Sequence, residues 1–138
     1  MSEKVFESFH KVRSFECDSY GHVNNAIYLN YLEFARMEVL EANDLTLDKL
    51  KEQGCFIVIR RIEIDYNYPV VAGDLLIIQT GLDSYRATSG TFVQEIIRQK
   101  DKKNIASAKV TWVTVNSKGK PIRIPLKIRT AFGLDTTE

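Results

Sequence analysis

Apolar residues first alternate, then recur at helical intervals, then return to strand-like runs over the rest of the chain. An imperfect alternation within Val5 to Phe15 predicts a first strand, with Lys11, Arg13 and Phe15 on one face and His10, Val12 and Ser14 on the other. From Asn25 to Glu41 the spacing is helical: Tyr28, Leu32, Ala35 and Val39 step by four, three and four, and Tyr31 widens the stripe. Asn24 or Asn25 is suited to cap this helix, and Asn43-Asp44 to end it. A short helix is expected from Leu47 to Gln53, with Gly54 in the position that closes helices. Ile- and Val-rich runs then predict strands over Cys55 to Tyr66, Asp74 to Leu82, Thr91 to Lys100 and Ile105 to Val115. Turns separate them at Tyr68-Pro69, Lys100 to Asn104 and Asn116 to Gly119, and a last short helix is expected from Pro125 to Phe132.

A long early helix followed by four successive strands joined by short turns argues for an α+β domain with an antiparallel sheet. The helix stripe needs an apolar surface, and one face of the sheet can supply it. Each side chain so buried contributes about 1.5–3 kcal/mol. Core packing is therefore the leading expectation for Tyr28, Tyr31 and Leu32.

Composition narrows the class. The chain has 138 residues, 44% apolar and 27% charged, which suits one globular domain over residues 1–138. A net charge of +1 with balanced acids and bases gives no reason to expect a nucleic-acid partner. No apolar run approaches the ~20 residues of a membrane span, and Met1-Ser-Glu-Lys lacks a signal peptide's apolar core, so a cytoplasmic location is expected. Cys17 and Cys55 lack metal-ligand spacing, and with only His10 and His22 beside them no metal site is expected. Cys17 neighbours Asp18, but strand alternation would aim the two side chains apart, which makes Cys17 a spectator.

The chemistry concentrates in Asp18-Ser-Tyr-Gly-His22-Val-Asn-Asn25-Ala-Ile-Tyr28. Here a carboxylate, a histidine and a turn glycine stand directly before the long helix. A helix start presents unpaired N–H groups and a positive dipole end, which can stabilise an oxyanion. A carboxylate delivered beside it makes a plausible hydrolytic site. Each residue also has a purely structural reading. Asp18 is a residue type common in turns and caps, His22 can pack against a backbone carbonyl, and Asn24 can hold the loop. Glu33 and Arg36, three apart on the helix, are expected to pair with each other.

Asp18, three intervening residues, His22-Val-Asn24-Asn25, Tyr28 three further on, and Glu33-Phe-Ala35-Arg36 together resemble the signature of hotdog-fold acyl-CoA thioesterases. The likeness is to the 4-hydroxybenzoyl-CoA thioesterase type and its bacterial long-chain acyl-CoA relatives. Ile62-Glu-Ile64-Asp-Tyr66-Asn-Tyr-Pro69 with Gly73-Asp74 resembles the family's second strand and turn, and Ala106 to Val115 its last long strand. The resemblance implies a long central helix wrapped by an antiparallel sheet. It also implies homodimers that place two sites at the interface, often within homotetramers, and no metal or organic cofactor. It puts the catalytic aspartate at Asp18 and the N–H that polarises the thioester carbonyl at Asn25. Plant acyl-carrier-protein thioesterases, which share the His-Val-Asn-Asn run, put a catalytic histidine at His22.

On this reading Asp18 activates water or attacks the carbonyl to form an anhydride, and His22 orients Asp18, takes a proton or binds the carbonyl. Gly21, Tyr28, Ser89 and Gly90 are expected to meet substrate. Ser89-Gly90 is expected in the turn before the third long strand, where a phosphate or pantetheine could approach the backbone. Arg60, Arg61, Arg86, Lys118, Lys120 and Arg123 are candidates for the phosphates of coenzyme A, against the alternative of a solvated charged face. The substrate reading is acyl-CoA or acyl carrier protein, since both present the same arm. A hydratase or dehydratase on the same fold and a non-catalytic acyl-thioester binder are the rivals. A serine α/β-hydrolase is disfavoured, because no Gly-x-Ser-x-Gly elbow is present.

Overall fold

The computed structural model describes residues 5–134. Five strands, β1 (Val5–Lys11), β2 (Phe56–Tyr66), β3 (Leu75–Tyr85), β4 (Ser89–Arg98) and β5 (Lys103–Val115), form one sheet. Three α-helices accompany them: α1 (Asn25–Ala42), α2 (Leu47–Glu52) and α3 (Leu126–Ala131). All pairings are antiparallel in the order β1-β3-β4-β5-β2. Only β3-β4-β5 is the simple meander that four successive strands would give. β2 leaves its neighbour in sequence and takes the far edge against β5, so residues 67–74 must cross from one side of the sheet to the other.

α1 begins where Asn24 caps it, its side-chain oxygen accepting the Ala26 N–H at 2.9 Å. Its end is fixed by Asn43, whose side-chain amide donates to the Val39 carbonyl, and by Asp44 in the left-handed region at φ 55°. The expected stripe of Tyr28, Tyr31, Leu32, Ala35 and Val39 is buried against the sheet, chiefly on β1 and β3. Two apolar clusters fill the space between the layers. One surrounds Leu32, Ile78, Ile96 and Ile105 at the start of α1, and the other surrounds Val39, Trp112, Ile128 and Phe132 toward its end.

A buried polar knot lies where these clusters meet, because Gln94 stands between Phe92 and Ile96 on the inner face of β4. Its side-chain oxygen accepts from Arg36 at 3.1 Å, and its amide donates to the Leu32 carbonyl and to Thr80 Oγ1, each at 3.0 Å. The expected pairing of Arg36 with Glu33 does not form. Arg36 turns inward to the neutral Gln94, and burial lowers its pKa, while exposed Glu33 favours its charge only through space. An amide that can both accept from a guanidinium and donate to a helix carbonyl satisfies three buried groups at once.

β1 lies within the expected Val5 to Phe15 stretch and stops at Lys11, since a single 3₁₀ turn at Ser14–Glu16 breaks the strand and leaves Phe15 on the surface. Two other expectations change. Ser89 and Gly90 are not in a turn but open β4, facing Val113 and Trp112 of β5. A side-chain carbon at Gly90 would overlap the Trp112 indole, so this glycine makes room for an aromatic ring and does not stand open to a ligand. Among the described residues no helix is long and apolar enough to cross a membrane.

Candidate active site

The loop before α1 is built by backbone bonds. Val12 donates to the Asp74 carbonyl and accepts from Gly73, which fixes the exit of β1. After the 3₁₀ turn, the Glu16 carbonyl accepts from Asn24 N–H, Cys17 bridges to Val23, and Asp18 N–H donates to the His22 carbonyl at 2.7 Å. Gly21, at φ 82°, closes the tip by donating to the Asp18 carbonyl, a conformation that disfavours residues with a side chain. Val23 N–H then ties the loop to the Val70 carbonyl of the crossing segment. The result is a short, doubly anchored loop with Asp18 at its neck and the start of α1 beside it.

Behind the loop, Glu16 is a buried carboxylate with a full set of donors. It accepts from Arg13 N–H at 2.8 Å, from the Tyr31 hydroxyl at 2.8 Å, and from His10 Nε2 at 3.0 and 3.1 Å. Burial alone would raise its pKa, but the bonds from Arg13, His10 and Tyr31 together hold it below its ordinary value. Burial and the adjacent Glu16 carboxylate raise the Tyr31 hydroxyl in turn. Sequence reading placed His10 only on a strand face and gave Glu16 no role. The sole available hint was a carboxylate two residues before Asp18.

In front of the loop lies an open pocket of about 260 Å³, lined by Asp18, His22, Val23, Asn25, Tyr28, Tyr66, Asn67, Tyr68 and Pro69. Asp18 Oδ1 accepts from Tyr20 N–H at 2.8 Å and His22 N–H at 3.3 Å, whereas no group among the described residues bonds Oδ2. Asp18 is thus both a turn residue and a carboxylate on the pocket wall with one oxygen unbonded among the described residues. His22 reaches it through the backbone; its exposed ring makes no hydrogen bond among the described residues. Asn25 is the first residue of α1, and no described group accepts its N–H. Tyr66 Oη donates to the Asn25 carbonyl at 3.1 Å and pins the end of β2 to the start of the helix.

Tyr28 is 4% exposed, edge-on to Tyr31 and Tyr66, and its hydroxyl pKa is raised by burial, yet it also forms part of the pocket wall. Cys17 is half-buried, its thiol directed to the Arg13 carbonyl, away from this chemistry. Tyr66, Asn67, Tyr68 and Pro69 were not among the expected site residues. They arrive through the crossing segment, a long-range contact that local spacing does not encode. Their only sequence signal was the pair of tyrosines before a proline, and both are about half exposed. Lys103 Nζ sits 4.6 Å above the Tyr68 ring and brings a positive charge to this wall.

Ser89 and Gly90 do not join the pocket within one chain. Tyr66 is level with Ala106 of β5, and Ile59 and Gly90 are both level with Trp112. The stretch from Ala106 to Trp112 separates the two by about 20 Å of strand. Lys118 and Lys120 lie beyond Val115, farther still from the loop.

Known proteins share this fold. Residues 12–132 match the model of the thioesterase-like superfamily. The long-chain acyl-CoA thioesterase FadM of Escherichia coli is 37% identical over 108 residues, covering 78% of this chain and 81% of FadM. The chloroplastic acyl-acyl carrier protein thioesterase ATL3 of Arabidopsis thaliana is 31% identical over 94% of this chain and 70% of its own length; the related ATL2 is spanned over 65%. Among solved structures, the probable thioesterase YbaW of Escherichia coli superposes with a TM-score of 0.80 at 32% identity, over 91% of this chain and 94% of its own. A family model matched across α1 and four of the five strands, together with these relatives, shows that the chain belongs to the thioesterase-like superfamily and has its hotdog fold, a long helix wrapped by an antiparallel sheet.

Proposed function

We propose that residues 1–138 form a single hotdog domain that hydrolyses the thioester of a fatty or related acyl-CoA to the free acid and CoA, in the cytoplasm and as part of lipid metabolism. One observation carries the mechanism: a carboxylate oxygen without a partner among the described residues and an unclaimed helix-start N–H share one open pocket. The thioester carbonyl oxygen takes the Asn25 N–H. Asp18 Oδ2 removes a proton from water as the water oxygen attacks the carbonyl carbon, or itself attacks to give an anhydride that water then cleaves. The tetrahedral oxyanion is held by Asn25 N–H and the α1 dipole, and its collapse breaks the C–S bond and releases the thiol. Exposed His22 stands on the pocket rim, where it can hold the carbonyl or pass the proton to the leaving sulfur. Gly21 keeps the loop closed, and Lys103 on Tyr68 offers a cation to the phosphates of CoA.

The plant relatives favour a second substrate form on the same arm, acyl carrier protein. Thiol release from acyl-CoAs of graded length, followed with a thiol-reactive dye, tests the reading. Hydrolysis gives free CoA in step with free acid. Water addition to an enoyl-CoA without thiol release would mark a hydratase instead, and binding without turnover an acyl-thioester carrier.

A homodimer, two of which can build a tetramer, completes this proposal. β2 is an open edge eleven residues long, with Val58 and Ile59 partly exposed, and such an edge invites pairing. Two β2 edges paired antiparallel about a two-fold axis would set the Phe56 end of one copy, with its Ser89, beside the Tyr66 end of the other. Light scattering should then give about twice the chain mass. A charge-reversing Arg61→Glu on that edge should shift the mass toward the monomer.

A further inference from the structure

We propose that the apolar cavity near the far end of α1 receives the methyl end of the substrate's acyl chain, which runs to it from the Asp18 pocket between α1 and β2, so that the favoured substrate is a linear chain of about 14 carbons. This assignment rests on the thioesterase reading of the Asp18 pocket. The second cavity, of about 90 Å³, is walled mainly by apolar side chains, including Met37, Leu40, Ile57, Phe92 and Trp112. Only Glu33 and Arg36 bring charge to it, and exposed Glu33 stands at its edge.

Two features align that cavity with the reacting centre. On α1, Asn25, Leu29, Glu33 and Met37 recur every four residues and so trace a slow spiral along the helix, turning about 40° per step. That spiral runs from the oxyanion N–H to the cavity over twelve residues, about 18 Å. On β2, Ile64 and Ile62 are spaced by two, as are Ile59 and Ile57, but Ile62 and Ile59 are three apart. In a regular strand that odd step would send the two pairs to opposite faces. The register shift between Ile59 and Arg61 inserts Arg60 as an extra residue, which returns Ile59 and Ile57 to the inner side, where both line the cavity. The bulge thus makes an isoleucine rail alongside the helix. A hydrocarbon chain with bonds of about 1.5 Å and angles near 111° advances about 1.25 Å per carbon, so about 14 carbons span the 18 Å.

The floor is set by Trp112 and Gly90. The indole packs on Phe92 and Phe132, its Nε1 has no hydrogen-bond partner among the described residues, and its six-membered ring lies over Gly90. No polar bond therefore anchors the ring against displacement. A methyl group at position 90 would lift it off the sheet toward α1 and make the cavity shallower. Gly90, expected from sequence to meet the substrate directly, becomes a length-setting residue that acts through Trp112.

Trp112 is the only tryptophan of the chain, so its emission reports on the cavity directly. With wild-type protein, 14-bromotetradecanoic acid should quench that emission by at least half at saturation, and 2-bromotetradecanoic acid by much less. Equal quenching by both, or none by the terminal bromide, overturns the proposal. In thiol-release assays, kcat/KM should peak at chains of 12–16 carbons. Met37→Trp, at the half-buried cavity mouth, and Gly90→Ala should each cut the value for the 14-carbon substrate at least ten-fold while leaving the 8-carbon one within two-fold. A peak at eight carbons or below, or an equal loss at both lengths in folded Met37→Trp, also overturns it. Position-dependent quenching with no thiol release from any substrate would instead remove the thioesterase reading and leave the cavity assignment standing.

Discussion

Asp18→Asn is expected to lower kcat for thioester hydrolysis by at least a hundred-fold while leaving the melting temperature nearly unchanged. The two halves of this expectation follow from the two oxygens of one carboxylate. Oδ1 is a structural acceptor for Tyr20 and His22 N–H, and an asparagine carbonyl oxygen accepts those same bonds in the same place. Oδ2 is the oxygen with no partner among the described residues, and replacing it by an amide NH2 removes the base or nucleophile. Loss of a positioned acid or base costs roughly 10²–10⁴ in rate. Asp18→Ala would remove both functions and confuse a lost turn with lost chemistry, so the asparagine is the informative change. Since the amide side chain still fills the same space, KM should move less than three-fold. A variant retaining more than a tenth of wild-type kcat would exclude Asp18 as the reacting carboxylate. After a single turnover of wild-type protein in ¹⁸O-water, label in the Asp18 carboxylate would establish the anhydride route, since direct attack by water puts the label only in the released acid.

The parts of this site that the sequence reveals are those built from consecutive residues. The loop, the capped helix and the order carboxylate, histidine, asparagine all lie between Asp18 and Tyr28, where spacing translates directly into geometry. Helix bounds emerged to within a residue because Asn24 and Asp44 are local signals. The strands were also recognisable, but their order was not. Nothing in the Cys55 to Tyr66 run says that it will cross to β5 at the far edge, and with it goes the knowledge that Tyr66 and Tyr68 wall the pocket. Gly90 illustrates the same limit. A glycine expected in a turn looks like room for a ligand until the pairing register places it in β4 with Trp112 over it. Arg36 was assigned to Glu33 because helical spacing shows only neighbours on the same helix, while its actual partner, Gln94, comes from the sheet.

Glu16 is where that hidden long-range contact should have the largest effect on stability. Glu16→Ala is expected to destabilise the fold by about 3–4 kcal/mol, since it strands the buried Tyr31 hydroxyl, the Arg13 N–H and His10 Nε2 together, and each unmet buried group costs about 1–3 kcal/mol. For a chain of this length that corresponds to a fall of roughly 10–15 °C in melting temperature. Glu16→Gln should recover more than half of it, because the amide oxygen still accepts from Arg13 and Tyr31.

The two variants also separate charge from hydrogen bonding. The folded-state pKa of Glu16 lies below its ordinary value, despite the opposing effect of burial, because its donors favour the ionised form. Its charge-dependent stabilisation is therefore complete above the unfolded value of about 4.5 and is lost as pH falls through the lower folded value. Wild-type melting temperature should drop more steeply than that of Glu16→Gln below about pH 4.5, and the two curves should run parallel above pH 6. Curves parallel throughout would mean that the carboxylate charge contributes nothing and only its shape matters. Asp18 follows Glu16 by two residues in a loop tied to the same turn, so the folded fraction of Glu16→Ala should also lose roughly ten-fold to a hundred-fold in kcat through misplacement of Oδ2. KM, which reflects the apolar cavity more than the loop, should shift far less. That split would separate a positioning role for Glu16 from general loosening of the fold, which would weaken substrate binding and turnover together.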